Sequence, residues 1–169
     1  MNVSPQGGEV DTLLVYGLSF DFPANHKLEF DPKFTREEGN LALKSPSRHV
    51  VFVSWGDLRR VINKLPTSMD HSRFSMERAA RSARGKLNIL EQREVKVNGH
   101  SATYSRAEVE GSGGIMGSGR RTQEIESLHL HCERTSRYFV IYTSFERSEP
   151  REWKQDDTLR IVTNSFKCH

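Results

Sequence analysis

Three strand-patterned segments in the second half, His100 to Val109, Thr122 to Cys132 and Arg137 to Phe145, constrain what this chain can become more than any other feature. Turn-forming residues separate them. Asn98-Gly99 precedes the first, a glycine-rich stretch joins the first to the second, and Glu133 to Ser136 leads into the third. Strand runs joined in this way pair with their neighbours as an antiparallel meander. In the first half, the run from His49 to Trp55 is apolar at both parities from Val50 onward, which predicts a central strand covered on both faces.

The remaining elements are read from periodicity. Leu18, Phe20 and Phe22 alternate with Ser19 and Asp21, so Thr12 to Phe22 reads as an opening strand, bent or paired at Gly17 and ended by Pro23. Met76, Ala80, Ala83, Leu87 and Leu90 recur every three or four residues and predict a helix over 75–90. Ser75 would be its N-cap and Glu77 would complement its dipole, while Gly85 weakens it by about 1 kcal/mol relative to alanine. A second helix is expected from about Asp156 to Lys167, with Leu159, Val162 and Phe166 on one face and Asp156 or Asp157 as cap. Strands, helix, three strands and helix make an α+β chain, an antiparallel β-sheet flanked by helices. One domain over residues 12–169 is expected, after a flexible N-terminal segment, 1–11.

Composition narrows the functional classes. With 35% apolar and 28% charged residues the chain supports a packed core and a solvated surface. Its longest apolar runs fall far short of the roughly 20 residues that a spanning helix needs. The opening residues lack the basic and apolar regions of a secretory signal, so a cytoplasmic location is expected unless a signal has been removed. A net charge of +3, from 25 basic and 22 acidic residues, demands no polyanionic partner. Cys132 and Cys168 are too few for a disulfide framework and lack zinc-knuckle spacing. They read either as two small buried side chains or as a pair between a strand and the last helix.

The segments Gly17-Leu18-Ser19-Phe20-Asp21-Phe22-Pro23, Ser75-Met76-Glu77-Arg78-Ala79-Ala80 and Ile161-Val162-Thr163-Asn164-Ser165-Phe166-Lys167 together resemble the PsbP/Mog-like family. The resemblance runs from Thr12 to Lys167. It implies an α/β/α sandwich around an antiparallel sheet, no cofactor, and a non-enzymatic accessory or protein-interaction module; members of that family include extrinsic photosystem subunits and a Ran GTPase-binding factor.

Four groups of residues are candidates for contact with a partner. The run Gly111 to Arg121 has glycines at the spacing of a phosphate-binding loop, Gly114 and Gly119. However, Arg120 and Arg121 stand where lysine and a hydroxyl residue would be required, and a strand follows instead of a helix. A dinucleotide fingerprint fails as well, because Met116 replaces its third glycine. The segment is therefore expected to be a flexible hairpin loop; as a contact segment it would meet a protein through Ile115 and Met116 at its tip together with Arg120 and Arg121, or, in the alternative reading, an anion or nucleic acid through Arg120 and Arg121 with the basic helix face. Trp153 is a second candidate anchor. Arg73, Arg78, Arg81 and Arg84 lie opposite the apolar stripe of the first helix and, with Arg59, Arg60 and Lys64, could form a basic patch for nucleic acid or another anion; Asp70, Glu77 and Glu91 dilute it, and no aromatic row accompanies it for base stacking. His129 and His131 share one face of a strand and could supply two metal ligands, with His100 or His169 as a third, although paired sheet histidines have a structural explanation too. Neither a nucleophile elbow nor a helix-borne zinc motif occurs.

Overall fold

Two tight turns organise the chain. The computed structural model describes residues 8–112, 119–149 and 156–169. Tyr16 and Gly17 both adopt left-handed backbone, with φ of 50° and 81°. This is the two-residue turn that matches strand twist. It joins β1 (Val10–Val15) to β2 (Leu18–Pro23), placing Val15 opposite Leu18. Asn98 and Gly99, with φ of 48° and 82°, make the same turn between β6 (Lys86–Val97) and β7 (His100–Ser112). The other strands are β3 (Lys27–Phe30), β4 (Gly39–Lys44), β5 (Val50–Asp57), β8 (Arg120–Cys132) and β9 (Arg137–Glu146). Seven strands form one antiparallel sheet in the order β3-β4-β5-β9-β8-β7-β6, while β1 and β2 pair separately. Helix α1 (Ser68–Ser82) lies between β5 and β6 in sequence, and α2 (Thr158–Ser165) follows β9. The architecture is α+β, and the expected meander is β7-β8-β9.

The first helix differs from its expected position. It begins at a capping box: the Thr67 side chain accepts from the Asp70 amide and the Asp70 carboxylate accepts from the Thr67 amide. It ends before Arg84, which turns left-handed at φ 50°, and the Gly85 amide then closes the last turn on the Ala80 carbonyl at 2.9 Å. A Cβ on Gly85 would collide with the Glu110 carbonyl, so this glycine serves a close passage of the chain against β7. Leu87 and Leu90, expected on the helical stripe, therefore belong to β6.

The two faces of the sheet are built differently. On one face Leu18, Phe20 and Phe22 of β2, with Leu159 and Val162 of α2, bury Val51, Val53, Leu130 and Ile141. Phe166 sits at the centre of this layer, fully buried, its ring 5.0 Å from that of Phe139 and 6.4 Å from that of Phe20. On the other face α1 packs against β6, β7 and β8, partly through hydroxyl pairs: Ser68 with Thr103 at 2.8 Å and Ser72 with Ser105 at 2.6 Å. Strand β5 was expected to be covered on both sides. Val51, Val53 and Trp55 are buried on one side, whereas Val50, Phe52 and Ser54 on the other are half-buried, because α1 does not reach that half of the sheet. Among the described residues no helix is long and apolar enough to cross a membrane.

Removing a large buried ring leaves a cavity that the surrounding layer cannot close. Phe166→Ala is therefore expected to lower unfolding stability by about 3–5 kcal/mol, read as a lower urea midpoint with an unchanged slope.

Candidate functional site

The half-covered face holds a groove of about 440 Å³ between α1 and strands β8 and β9. Alternation along the strands explains its walls. Ile125, Ser127 and His129 of β8, with Tyr138, Val140 and Tyr142 of β9, all point to the α1 side. The helix adds His71, Ser75, Met76, Ala79 and Arg78, the last being the only charged residue of the lining among the described residues. Phe52 on β5 extends this surface by stacking on Tyr142, with ring centroids 5.1 Å apart and planes 20° apart.

The floor of the groove is a cluster of imidazoles. His71 Nδ1 lies 3.2 Å from His131 Nε2, and His129 Nε2 lies 3.2 Å from the Ser75 hydroxyl. The Tyr138 ring stands edge-on to His71 at 4.7 Å. Burial, reinforced by the neighbouring histidines, lowers His129 to about 3 and His71 to about 4. Burial likewise raises Tyr138 and Tyr142. The floor is therefore uncharged near neutral pH. Nδ1 of His129 and Nδ1 of His131 are buried and have no hydrogen-bond partner among the described residues.

A second convergence lies on the opposite face. His100 opens β7, Cys132 closes β8, and Cys168 and His169 follow α2. Their four ligand-capable atoms lie within 4.8 Å of one another. Cys168 Sγ is 3.4 Å from His100 Nε2 and 3.3 Å from His169 Nδ1, and Cys132 Sγ is 3.7 Å from His169 Nδ1. Both cysteines are buried free thiols. A hydrogen bond from the Cys168 thiol, opposed by burial and aided by Thr135 and His169, holds the Cys132 thiol far below the usual range, and the same bond together with burial pushes that of Cys168 up.

The residues singled out in the sequence are distributed as follows. His129 and His131 do share a face, but the sheet separates them from His100 and His169, and the third imidazole beside them is His71 of α1. Sequence periodicity had no access to His71, since its helix was expected to start later. Arg73, Arg78, Arg81 and Arg84 are all exposed, but Arg84 lies beyond the end of α1. Arg59 is paired with Asp57, and Arg60 with Glu38. Arg121 is exposed and lies 3.3 Å from Glu146. The backbone of Arg120 pairs with Ser112, so β7 and β8 do lead into a hairpin. Ile115, Met116 and Trp153 lie outside the described residues.

One further arrangement has the outline of a catalytic relay. His49 Nε2 is 2.6 Å from the Thr143 hydroxyl, and His49 Nδ1 is 3.4 Å from Asp156. Yet Thr143 is only 3% exposed and its hydroxyl donates to the Val50 carbonyl at 2.8 Å, which leaves no proton for the imidazole to withdraw and no access for a substrate. Asp156 also accepts from the Thr158 amide at the start of α2, whereas Asp157, the N-cap residue, makes no side-chain cap bond. Burial would raise this carboxyl, but the bonds from His49 and Thr158 outweigh it and hold it at about 2. The trio is a clamp joining β5, β9 and the start of α2.

No protein-family model matches the sequence, and no curated protein matches it. The fold is similar to the solution structure of cyanobacterial PsbP (CyanoP) from Synechocystis sp. PCC 6803, with a TM-score of 0.62 and 9% identity, covering 100% of this chain and 98% of that one. At that identity the likeness shows a PsbP-like fold and nothing further. A Pseudomonas aeruginosa protein of unknown function, described as a putative regulator, aligns at a TM-score of 0.46 and 10% identity, over 88% of this chain and 93% of that one; at that score it carries no argument.

The buried imidazoles tie stability to pH. In the unfolded chain a histidine titrates near 6.5, so below that pH the unfolded state binds protons that His129 and His71 refuse in the folded state. Their contribution is complete above about pH 7 and is lost as the pH falls toward 4. Lowering the pH from 7.5 to 5 is expected to cost about 2 kcal/mol through His129 alone, and chemical denaturation of His129→Gln at the two values should show a correspondingly smaller loss.

Proposed function

We propose that this protein is a non-enzymatic binding module of the accessory kind, which receives an uncharged, largely apolar segment of a protein partner in the groove between α1 and β8–β9. The observation that carries this reading is the chemistry of the described lining: aromatic and aliphatic side chains interspersed with the neutral Ser54, Ser75, Gln123, Ser127 and Ser144, a neutral imidazole floor and a single charged side chain, Arg78. A site for phosphate or nucleic acid concentrates cations where the ligand lies, and this groove does not. The accessory role implied by the resemblance to the PsbP/Mog-like family agrees with that chemistry. Contact through Ile115, Met116, Arg120, Arg121 and Trp153 remains part of the same proposal as a second surface. The competing reading, an anion or nucleic-acid site on Arg73, Arg78, Arg81 and Arg84 together with Arg120 and Arg121, draws on the exposure of the first four along one stretch of chain.

The two readings separate with two probes. Nile red, uncharged and apolar, is expected to bind the full chain with little dependence on salt, and Val140→Lys should weaken that binding at least about tenfold, since a buried ammonium is strongly disfavoured in such a lining. Arg81→Glu should leave it unchanged. A single-stranded oligonucleotide is expected not to bind. Oligonucleotide binding that falls steeply with salt and disappears in Arg81→Glu, with Nile red unaffected by Val140→Lys, would replace the groove with the basic face.

A further inference from the structure

We propose that His100, Cys132, Cys168 and His169 bind one zinc ion, which fastens the segment after α2 to the end of the sheet. This site lies on the opposite face from the groove and does not depend on the binding function assigned to it.

The donor set itself points to zinc. Two thiolates and two imidazoles without a carboxylate form the soft, tetrahedral combination that selects zinc over magnesium, calcium or manganese. The spacing of the donors agrees. Bond lengths of about 2.3 Å to sulfur and about 2.0 Å to nitrogen in a tetrahedron place neighbouring donor atoms about 3.3–3.8 Å apart. Three of the four sulfur–nitrogen separations here are 3.3, 3.4 and 3.7 Å, and all four donor atoms lie within 4.8 Å of one another, so an ion can gather them with a small inward movement of the side chains. Graded burial supplies a route: both cysteines are buried, His100 is half-buried and His169 is exposed.

The surroundings hold the donors in place. Ser19 and Lys167 exchange backbone hydrogen bonds at 2.9 and 2.8 Å, and Asn98 donates to the Phe166 carbonyl at 2.8 Å. The buried Arg137 guanidinium donates to the Cys168 carbonyl at 3.1 Å and to the Tyr16 carbonyl at 2.9 Å. The segment that carries Cys168 and His169 is thus anchored on β2, on the β6–β7 turn and on β9. Outer contacts of this kind orient metal ligands and sustain affinity. Four protein donors close the coordination sphere, so the ion is structural and not a Lewis-acid catalyst.

The test uses the full chain, purified under reducing conditions. Elemental analysis is expected to find one zinc per chain. After chelation, titration with cobalt should give the intense visible bands of a tetrahedral ion together with a thiolate-to-cobalt charge-transfer band. His100→Ala and Cys168→Ser are each expected to weaken zinc binding at least about 100-fold, while His129→Gln, across the sheet, leaves it unchanged. Should Cys168→Ser fail to fold, the wild-type chain still decides the matter: zinc should protect both thiols from a maleimide. An octahedral cobalt spectrum without the charge-transfer band, zinc affinity unaffected by His100→Ala, thiols that zinc does not protect, or a Cys132–Cys168 disulfide in place of zinc in the isolated protein would each overturn the proposal.

Discussion

Phe166 is the junction on which the rest of the molecule depends. Its ring fills the space between β2 and β9, against Phe20 and Phe139, and so joins the β1–β2 hairpin to the main sheet. A separate two-stranded hairpin is marginal in water and persists only when its apolar face is buried. Here that face meets Phe166 and α2. The same residue offers its carbonyl to Asn98, and the next pairs with Ser19, so the chain leaves the core along one fixed path. Cys168 and His169 follow on that path and arrive beside His100 and Cys132. Core packing and the thiol–imidazole cluster are thus consequences of a single placement.

The two faces of the sheet have diverged chemically. One is a dry aromatic and aliphatic layer, closed by the hairpin and α2. The other is met by a helix that buries His71, Ser72, Met76 and Ala80, a face too small and polar to spread across seven strands. Hydroxyl pairs hold that helix over β7, and β5 and β9 keep half-buried aromatic residues beside it. A helix seated by specific polar contacts on half of a sheet leaves a groove with one rigid wall and one open side. Arg137 plays the corresponding role at the sheet's end on the dry face, where one buried cation gathers carbonyls from Tyr16, Arg36 and Cys168.

Much of the fold could be read from local pattern. The alternation of Leu18, Phe20 and Phe22, the meander expected from His100 to Phe145 and the pair Leu159 and Val162 appear in the structure where periodicity placed them, whereas the last helix is shorter than expected and Phe166 follows its end in extended backbone. The first helix was placed too late because Leu87 and Leu90 happen to continue its spacing, although they lie in a strand. Two local signals mark the true boundaries: Thr67 with Asp70 three residues on is a capping box, and Asn98-Gly99 is the strongest short hairpin signal, requiring a strand on each side. The site was less legible. His129 and His131 could be assigned to one face by parity, as could Cys132 to the other, but nothing in their spacing indicates His71, 58 residues before His129 in the numbering.

By itself, then, the sequence determined the α+β class, the strand order of the meander and the direction in which each strand residue points, because these follow from steric periods of two and 3.6 residues acting within short stretches of chain. Only the tertiary structure decided how far α1 extends over the sheet, and hence that a neutral groove is left open. It alone brought His100, Cys132, Cys168 and His169 together. Those contacts join residues up to 69 positions apart, and their formation depends on how the β1–β2 hairpin, α2 and the sheet share one buried layer, which no local pattern encodes.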